Sequence, residues 1–212
     1  MLTIIDKDWG DVVERTTEIG KADRATVLII LVIGMFGGGL LAGLGLIMGI
    51  FRLLDPGRYP IELLADIPVE AGPGILEARA TSIIVNAETL PAGALWAFAI
   101  SDVVGGIAIG LVTACFAYVL WRVAQRHPFH RTTQAAALVA GCAIAFGSLI
   151  SQGVGGLGRM MAADELNPSL GGVAEVGFLF QPLPIVVGFG VLALAYVFQA
   201  GERLQRDTEG LI

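Results

Sequence analysis

The chain has 212 residues, of which 55% are hydrophobic and 15% are charged, a balance that excludes an ordinary soluble globular domain. Its 29 glycines fit a membrane protein, because glycine is commoner in membrane helices than in soluble ones. The net charge of −6 argues against direct binding of nucleic acid, which needs clustered Lys and Arg. Composition therefore predicts an integral membrane protein that contacts lipid and no nucleic acid.

Residues 1–24 are charged and precede the first apolar run. Trp9, Val12 and Ile19 recur at helical spacing, so we expect a short amphipathic helix. Helices that lie on lipid usually carry a Lys/Arg-rich polar face, and this segment is more acidic than basic. We expect it to pack on the protein's own helices, with binding to a separate protein as the alternative.

Four apolar runs follow, and each reaches the length of about 20 residues that crosses hydrocarbon. The predicted spans are residues 25–54, 94–121, 134–154 and 178–200, and the third can continue outside the bilayer as far as Ala163. Trp96 and Trp121 lie where aromatic side chains favour the two membrane interfaces.

The connections between the spans differ in character. Residues 55–92 contain five prolines and strand-like stretches such as residues 82–86, which predicts a small, partly β cap outside the bilayer. Residues 122–133 form a short basic turn, in which Pro128 cannot continue a helix. Residues 155–177 form a second outer loop, and residues 201–212 form a tail.

Lys and Arg side chains set the predicted orientation. Nine of the 13 lie in the N-terminus, the middle turn and the tail, and four lie in the outer loops or their flanks. Because cytoplasmic segments are enriched in Lys and Arg, both termini are predicted to be cytoplasmic. The predicted fold is a single all-α domain in the cytoplasmic membrane, with four transmembrane helices packed as a bundle.

Glycines in the first span recur four residues apart, a spacing that lets another helix approach closely. We expect them to pack against the protein's own helices, with dimerisation as the alternative. The pairs are Gly34 and Gly38, Gly39 and Gly43, and Gly45 and Gly49.

Asp102 is the candidate functional residue, because a carboxylate within a span is costly unless it is paired or hydrated. Asp102 lies 19 residues from Trp121, and Gln152 lies 19 residues from Thr133, both counted from the inner interface. At about 1.5 Å per residue, the two side chains therefore lie at the same height, near the outer edge of the hydrocarbon. We predict a polar clasp between the second and third spans, with an ion or proton path as the alternative. Its predicted members are Asp102, Ser148, Ser151, Gln152 and Arg159.

Other patterns carry no chemistry. Residues 153–158 match G-x-G-x-x-G, but that motif indicates a dinucleotide site only between a strand and a helix. His127 and His130 are too few for a zinc site. We find no ordered catalytic triad or metal-binding motif. The sequence predicts no enzyme, no catalytic residue, no metal and no cofactor.

Two segments carry a family resemblance. The basic middle turn with Pro128-Phe129 resembles that of the DUF2975 family of bacterial four-span membrane proteins, and residues 197–212 are similar to that family's closing segment. The order of spans and loops agrees as well. The resemblance implies a bacterial protein without an assigned activity, which acts on a small cytoplasmic DNA-binding protein.

The leading functional hypothesis is a membrane-anchored regulator or sensor that contacts a cytoplasmic protein. An accessory subunit of a larger respiratory or transport complex is the alternative, and small-solute or ion transport is the third. The predicted partner-facing surface consists of Arg122, Arg126, His130, Arg131, Arg203 and Arg206.

Overall fold

The computed structural model describes residues 2–55, 60–70, 72–125 and 131–209. For residues 2–24, 198 and 201–209 it describes the backbone alone. The elements in chain order are α1 (Leu2–Leu54), β1 (Ile61–Val69), β2 (Ala78–Val85), α2 (Ala92–Ala124), α3 (Arg131–Leu166), β3 (Ala174–Glu175) and α4 (Leu183–Glu209).

Three of these helices are long and apolar enough to cross a membrane. Their apolar portions are Ala25–Leu54, Ala92–Ala124 and Arg131–Leu166, which match the first three predicted spans. α4 contains a shorter described apolar stretch, Leu183–Val197. A mostly helical chain with three helices able to cross a membrane is therefore confirmed, whereas the membrane location and the fourth crossing stay predictions.

A small antiparallel sheet lies at one end of the helices, which we call the sheet end. Its strand order is β2-β1-β3, and the β1–β2 register shifts between Leu64 and Ile67. The predicted β structure between the first two spans is thus confirmed, although β3 comes from the residues after α3; its place outside the bilayer stays a prediction. Ile61 and Leu63 are buried and pack in one cluster with Phe98 of α2 and Ala162 of α3, so the sheet rests on the ends of two helices.

The helices lie in a row. α1 packs on α2, α2 on α3, and α3 on α4, and no other helix pair is in extensive contact within the described part of the chain. Only 6% of the most apolar stretch of α1 is buried, against 22% in α3. The described helices therefore form a row in place of the predicted four-helix bundle, because α1 and α4 make no extensive contact.

Several helix boundaries also differ from the prediction. The N-terminal segment is not a separate short helix, since α1 runs without a break from Leu2 to Leu54. α3 continues to Leu166, which confirms the predicted extension as far as Ala163 and adds three residues of the predicted outer loop, since no proline interrupts the helix before Pro168. α4 begins at Leu183, not at Phe178. Pro184 in its first turn fits this start, because proline needs no N–H donor there.

Candidate functional site

An ion pair joins α1 to α2 near the sheet end. The Nε of Arg52 donates a hydrogen bond of 2.7 Å to Oδ2 of Asp102, and the two side chains are only 20% and 28% exposed. The Arg52 guanidinium also lies 5.1 Å from the centre of the Phe98 ring, a distance at which a cation is attracted to the ring face. Each charge therefore offsets the cost of placing the other beside apolar helices.

The predicted clasp was wrong about the partner of Asp102. Among the described residues, Asp102 bonds to Arg52, and none of Ser148, Ser151, Gln152 and Arg159 bonds to it. Consecutive helical residues are rotated by about 100°. Ser101 bonds to Ser151 of α3. The next residue, Asp102, therefore faces away from α3 and toward α1.

α2 and α3 nonetheless pack at the predicted relative height. The residues in contact are Ser101 and Ser151, each one position before the predicted Asp102 and Gln152. The Ser101 hydroxyl donates to the carbonyl of Ser151 at 2.8 Å, and the Ser151 hydroxyl donates to the carbonyl of Ser101 at 3.0 Å. The two hydroxyl oxygens lie 3.3 Å apart. This reciprocal serine pair is the polar link between the two helices at the height predicted for the clasp.

Gln152 anchors the segment that leads into α4. Its Nε2 donates to the carbonyl of Gln181 at 3.1 Å, and its Oε1 accepts a bond of 2.8 Å from the Gln181 backbone N–H. The side-chain amide thus satisfies both backbone groups of a residue that belongs to no helix or strand. Backbone polar groups near a membrane need such partners, because lipid offers none.

The two remaining clasp residues line separate spaces. Ser148 lies on a groove of about 400 Å³ between α2, α3 and the start of α4. Arg159 lies on a cavity of about 170 Å³ beneath the sheet, together with Glu62 and Ser82. The Arg159 side chain makes no hydrogen bond or ion pair with any described residue. Gln181 lines both spaces.

The predicted glycine face of α1 is only partly correct. A Cβ added at Gly49 would lie 2.7 Å from Val103, and one at Gly45 would lie 3.1 Å from Gly106 of α2. Gly34 and Gly38 likewise face Phe116 and Thr113 of α2. These four glycines allow α1 and α2 to pack closely. Added Cβ atoms at Gly39 and Gly43 would meet nothing within 4 Å, so this pair faces away from the other described helices.

Glycines in the G-x-G-x-x-G stretch also serve helix packing. A Cβ at Gly155 would lie 2.6 Å from the Ser101 hydroxyl, and one at Gly158 would lie 3.1 Å from Phe98. The stretch lies inside α3 rather than between a strand and a helix. Gly155 and Gly158 therefore bring α3 close to α2.

Most of the predicted partner-facing surface lies outside the described residues. This holds for Arg126 and His130 and for the side chains of Arg203 and Arg206. Arg131 is exposed at the start of α3. Arg122 is half-buried, and its buried Nε has no hydrogen-bond partner among the described residues. Arg122 is therefore less accessible than its position in a basic turn predicted.

Comparison of this chain with protein-family models, with curated proteins and with solved structures found no match. The resemblance to the DUF2975 family therefore stays a prediction, and the function has to be argued from the geometry of the chain itself.

Proposed function

We propose that the chain is a non-enzymatic membrane protein, a membrane-anchored regulator or sensor that acts on a cytoplasmic protein partner. The observation that carries the proposal is the length of α1, which is one helix of 53 residues. Such a helix is about 80 Å long, against about 30 Å of hydrocarbon. The apolar stretch of this helix is Ala25–Leu54, and residues 2–24 before it are charged, so about 35 Å of charged helix precedes the proposed span.

The continuity of α1 gives the proposed sensor a means of transmission. Arg52 near its sheet end pairs with Asp102 of α2, and its other end carries the charged N-terminal segment. A ligand or stress that favoured the separated form of this pair would shift α1 against α2. A rigid helix carries such a shift along its length, and two discrete arrangements are what a regulator requires.

A fourth crossing by α4 belongs to the same proposal. Its sequence is largely apolar from Leu183 to Ala200, and the helix backbone continues through this stretch. At about 1.5 Å per residue the stretch is about 27 Å long, close to the roughly 30 Å of hydrocarbon. Close packing on α3 supports it, because a Cβ added at Gly188 would lie 2.6 Å from the Ala145 backbone. With four crossings, both termini and the basic turn share the cytoplasmic side, as the distribution of Lys and Arg favours.

An accessory subunit of a larger membrane complex is the second candidate. The observation that favours it is the exposed outer face of α1, where Gly39 and Gly43 have nothing within 4 Å of an added Cβ. Small residues four apart allow close approach of another helix. A larger complex could therefore use this face.

Small-solute or ion transport is the third candidate, and the Arg52–Asp102 pair weakens it. A carboxylate that serves an ion needs to exchange its partner for that ion, whereas Asp102 bonds to a cationic side chain at 2.7 Å. α2 and α3 are also unbroken through their apolar lengths, while transporters often interrupt their helices at the binding site.

Purification of the tagged full-length protein from native membranes, followed by mass spectrometry, tests the proposal. We expect a cytoplasmic protein at near-equal amount, and the DUF2975 resemblance favours a small DNA-binding one. A variant without residues 203–212 that also carries Arg122→Gln, Arg126→Gln and Arg131→Gln should lose this partner. Arg79→Gln at the sheet end, as the control, should keep it.

A large membrane complex that stays with both variants would support the accessory subunit instead. Recovery of the protein alone, in gentle detergent and with every variant, would contradict both proposals.

A further inference from the structure

We propose that the groove and the sheet-end cavity together form a binding site for one zwitterionic phospholipid with a primary ammonium headgroup, such as phosphatidylethanolamine. The site is independent of the proposed cytoplasmic partner. It is built from the stripe of α3 that carries Ser148, Gln152 and Arg159. Residues four and seven apart lie on one face of a helix, so the groove and the cavity follow each other along α3.

The groove has the dimensions and chemistry of an acyl-chain site. Its volume of about 400 Å³ falls within the range of about 300–1,000 Å³ that is usual for ligand sites. Apolar residues such as Ile109 and Val112 of α2 and Ile144 of α3 line most of it. Its lining on α3 runs from Ala143 to Gln152, about 14 Å along the helix, which is close to half of the roughly 30 Å hydrocarbon core. The groove therefore fits one chain within one leaflet.

The cavity has the charges of a zwitterionic headgroup. Arg159 and Glu62 both line it, yet their side chains form no ion pair with each other, and neither side chain bonds to another described residue. Ser82 adds a hydroxyl. Arginine pairs well with a phosphate because its donors match the phosphate oxygens. A carboxylate beside it suits an ammonium group, so one headgroup can satisfy both charges.

Continuity between the groove and the cavity comes from Gln181, which lines both. The Gln152 side chain satisfies the backbone groups of Gln181. The segment that separates α3 from α4 is thereby held at the junction. A headgroup in the cavity can extend its chain past this point into the groove.

Native mass spectrometry of the full-length protein tests the site, after transfer from bilayer discs of defined composition. The probes are phosphatidylethanolamine, phosphatidylglycerol, which has a phosphate without an ammonium, and phosphatidylcholine, whose methylated ammonium donates no hydrogen bond. We expect retention of one phosphatidylethanolamine per protein, at least tenfold in preference to either other lipid. Equal retention of the three lipids would overturn the proposal.

Three headgroup variants sharpen the test. Arg159→Gln should reduce retention of phosphatidylethanolamine about tenfold or more, since it removes the charged contact to the phosphate. Glu62→Gln should abolish the preference over phosphatidylglycerol while retention of a phospholipid persists. Arg79→Gln is the control, because it removes a cation of the sheet that pairs with Asp66 and Glu77 and does not line the cavity. Equal effects of Arg159→Gln and Arg79→Gln would refute the assignment.

A matched pair on α2 tests whether the chain occupies the groove. Ile109→Trp fills the groove, whereas Ile107→Trp makes the same change in an adjacent apolar cavity on α2 and α3, which Ile109 does not line. We expect the first to displace the lipid and the second to leave it bound. If both variants kept the lipid, and glycerophosphoethanolamine competed as well as the intact lipid, the ligand would be a free headgroup and the lipid proposal would fail.

Discussion

Replacing Asp102 with leucine should destabilise the protein far more than breaking an ion pair of the same length on the sheet. The Arg52–Asp102 and Arg79–Asp66 pairs both have an Nε–Oδ distance of 2.7 Å. Their surroundings differ, since the first pair is 20% and 28% exposed and the second is 50% and 46% exposed. Because the two pairs have the same distance, comparing their contributions to stability isolates the effect of burial.

The magnitudes follow from the two exposures. A hydrogen bond to a charged group that is largely shielded from water contributes about 1.5–3 kcal/mol, and an exposed pair contributes about 0–1 kcal/mol. Double-mutant cycles separate the pair from its surroundings. One cycle combines Arg52→Met with Asp102→Leu, and the other combines Arg79→Met with Asp66→Leu. We expect coupling of about 1.5–3 kcal/mol in the first and less than about 1 kcal/mol in the second.

The assay is unfolding by sodium dodecyl sulfate in mixed micelles, followed by circular dichroism. In the first cycle the double variant should be more stable than Asp102→Leu alone. Asp102→Leu removes the carboxylate and keeps the shielded Arg52 guanidinium, whereas the double variant removes both charges. Equal coupling in the two cycles would refute the claim that Arg52–Asp102 is a shielded contact between α1 and α2.

Two further predictions concern the packing of the helices and the anchoring of the loop. Gly38→Leu places a side chain where Thr113 already lies, so we expect a loss of about 1–3 kcal/mol in the same unfolding assay. Gly43→Leu faces open space and should change the stability little; equal losses at both positions would show that the α1–α2 contact is wrong. Gln152→Leu removes both bonds to the Gln181 backbone and should cost about 1 kcal/mol. Hydrogen exchange at the Gln181 amide should accelerate, and unchanged exchange would contradict this role.

The sequence could predict the features that depend on the length of an apolar run and on the rise per residue of a helix. An apolar run long enough to cross a membrane specifies a helix, and three such runs are helices of the expected extent. Counting residues from Trp121 and Thr133 placed α2 and α3 in register, and the Ser101–Ser151 pair forms at that height. Prolines and short apolar stretches indicated the β cap, although its third strand follows α3 and had no such signal.

The neighbours of each helix face could not be predicted, because a helix surrounded by lipid is apolar on every side and has no distinct buried face. Gly38 and Gly39 are alike in the sequence, yet one faces Thr113 and the other faces open space. Arg52 was counted with the outer loop, so it was missed as the partner of Asp102. The available signal was that Arg52 lies at the outer end of the first apolar run and Asp102 near the outer end of the second.

Labelling of single cysteines by a membrane-impermeant maleimide tests the central claim, which is that the chain crosses four times with the sheet on one side and both ends on the other. Cys115→Ala and Cys142→Ala provide a cysteine-free background. Reporters are then placed by Thr3→Cys and Thr208→Cys near the ends of α1 and α4 and by Leu76→Cys, at a fully exposed position between β1 and β2. The account predicts labelling of the Leu76→Cys variant in intact cells, and of the other two only after permeabilisation. Labelling of both the Leu76→Cys and the Thr208→Cys variants in intact cells would show that α4 does not cross, and would contradict the account.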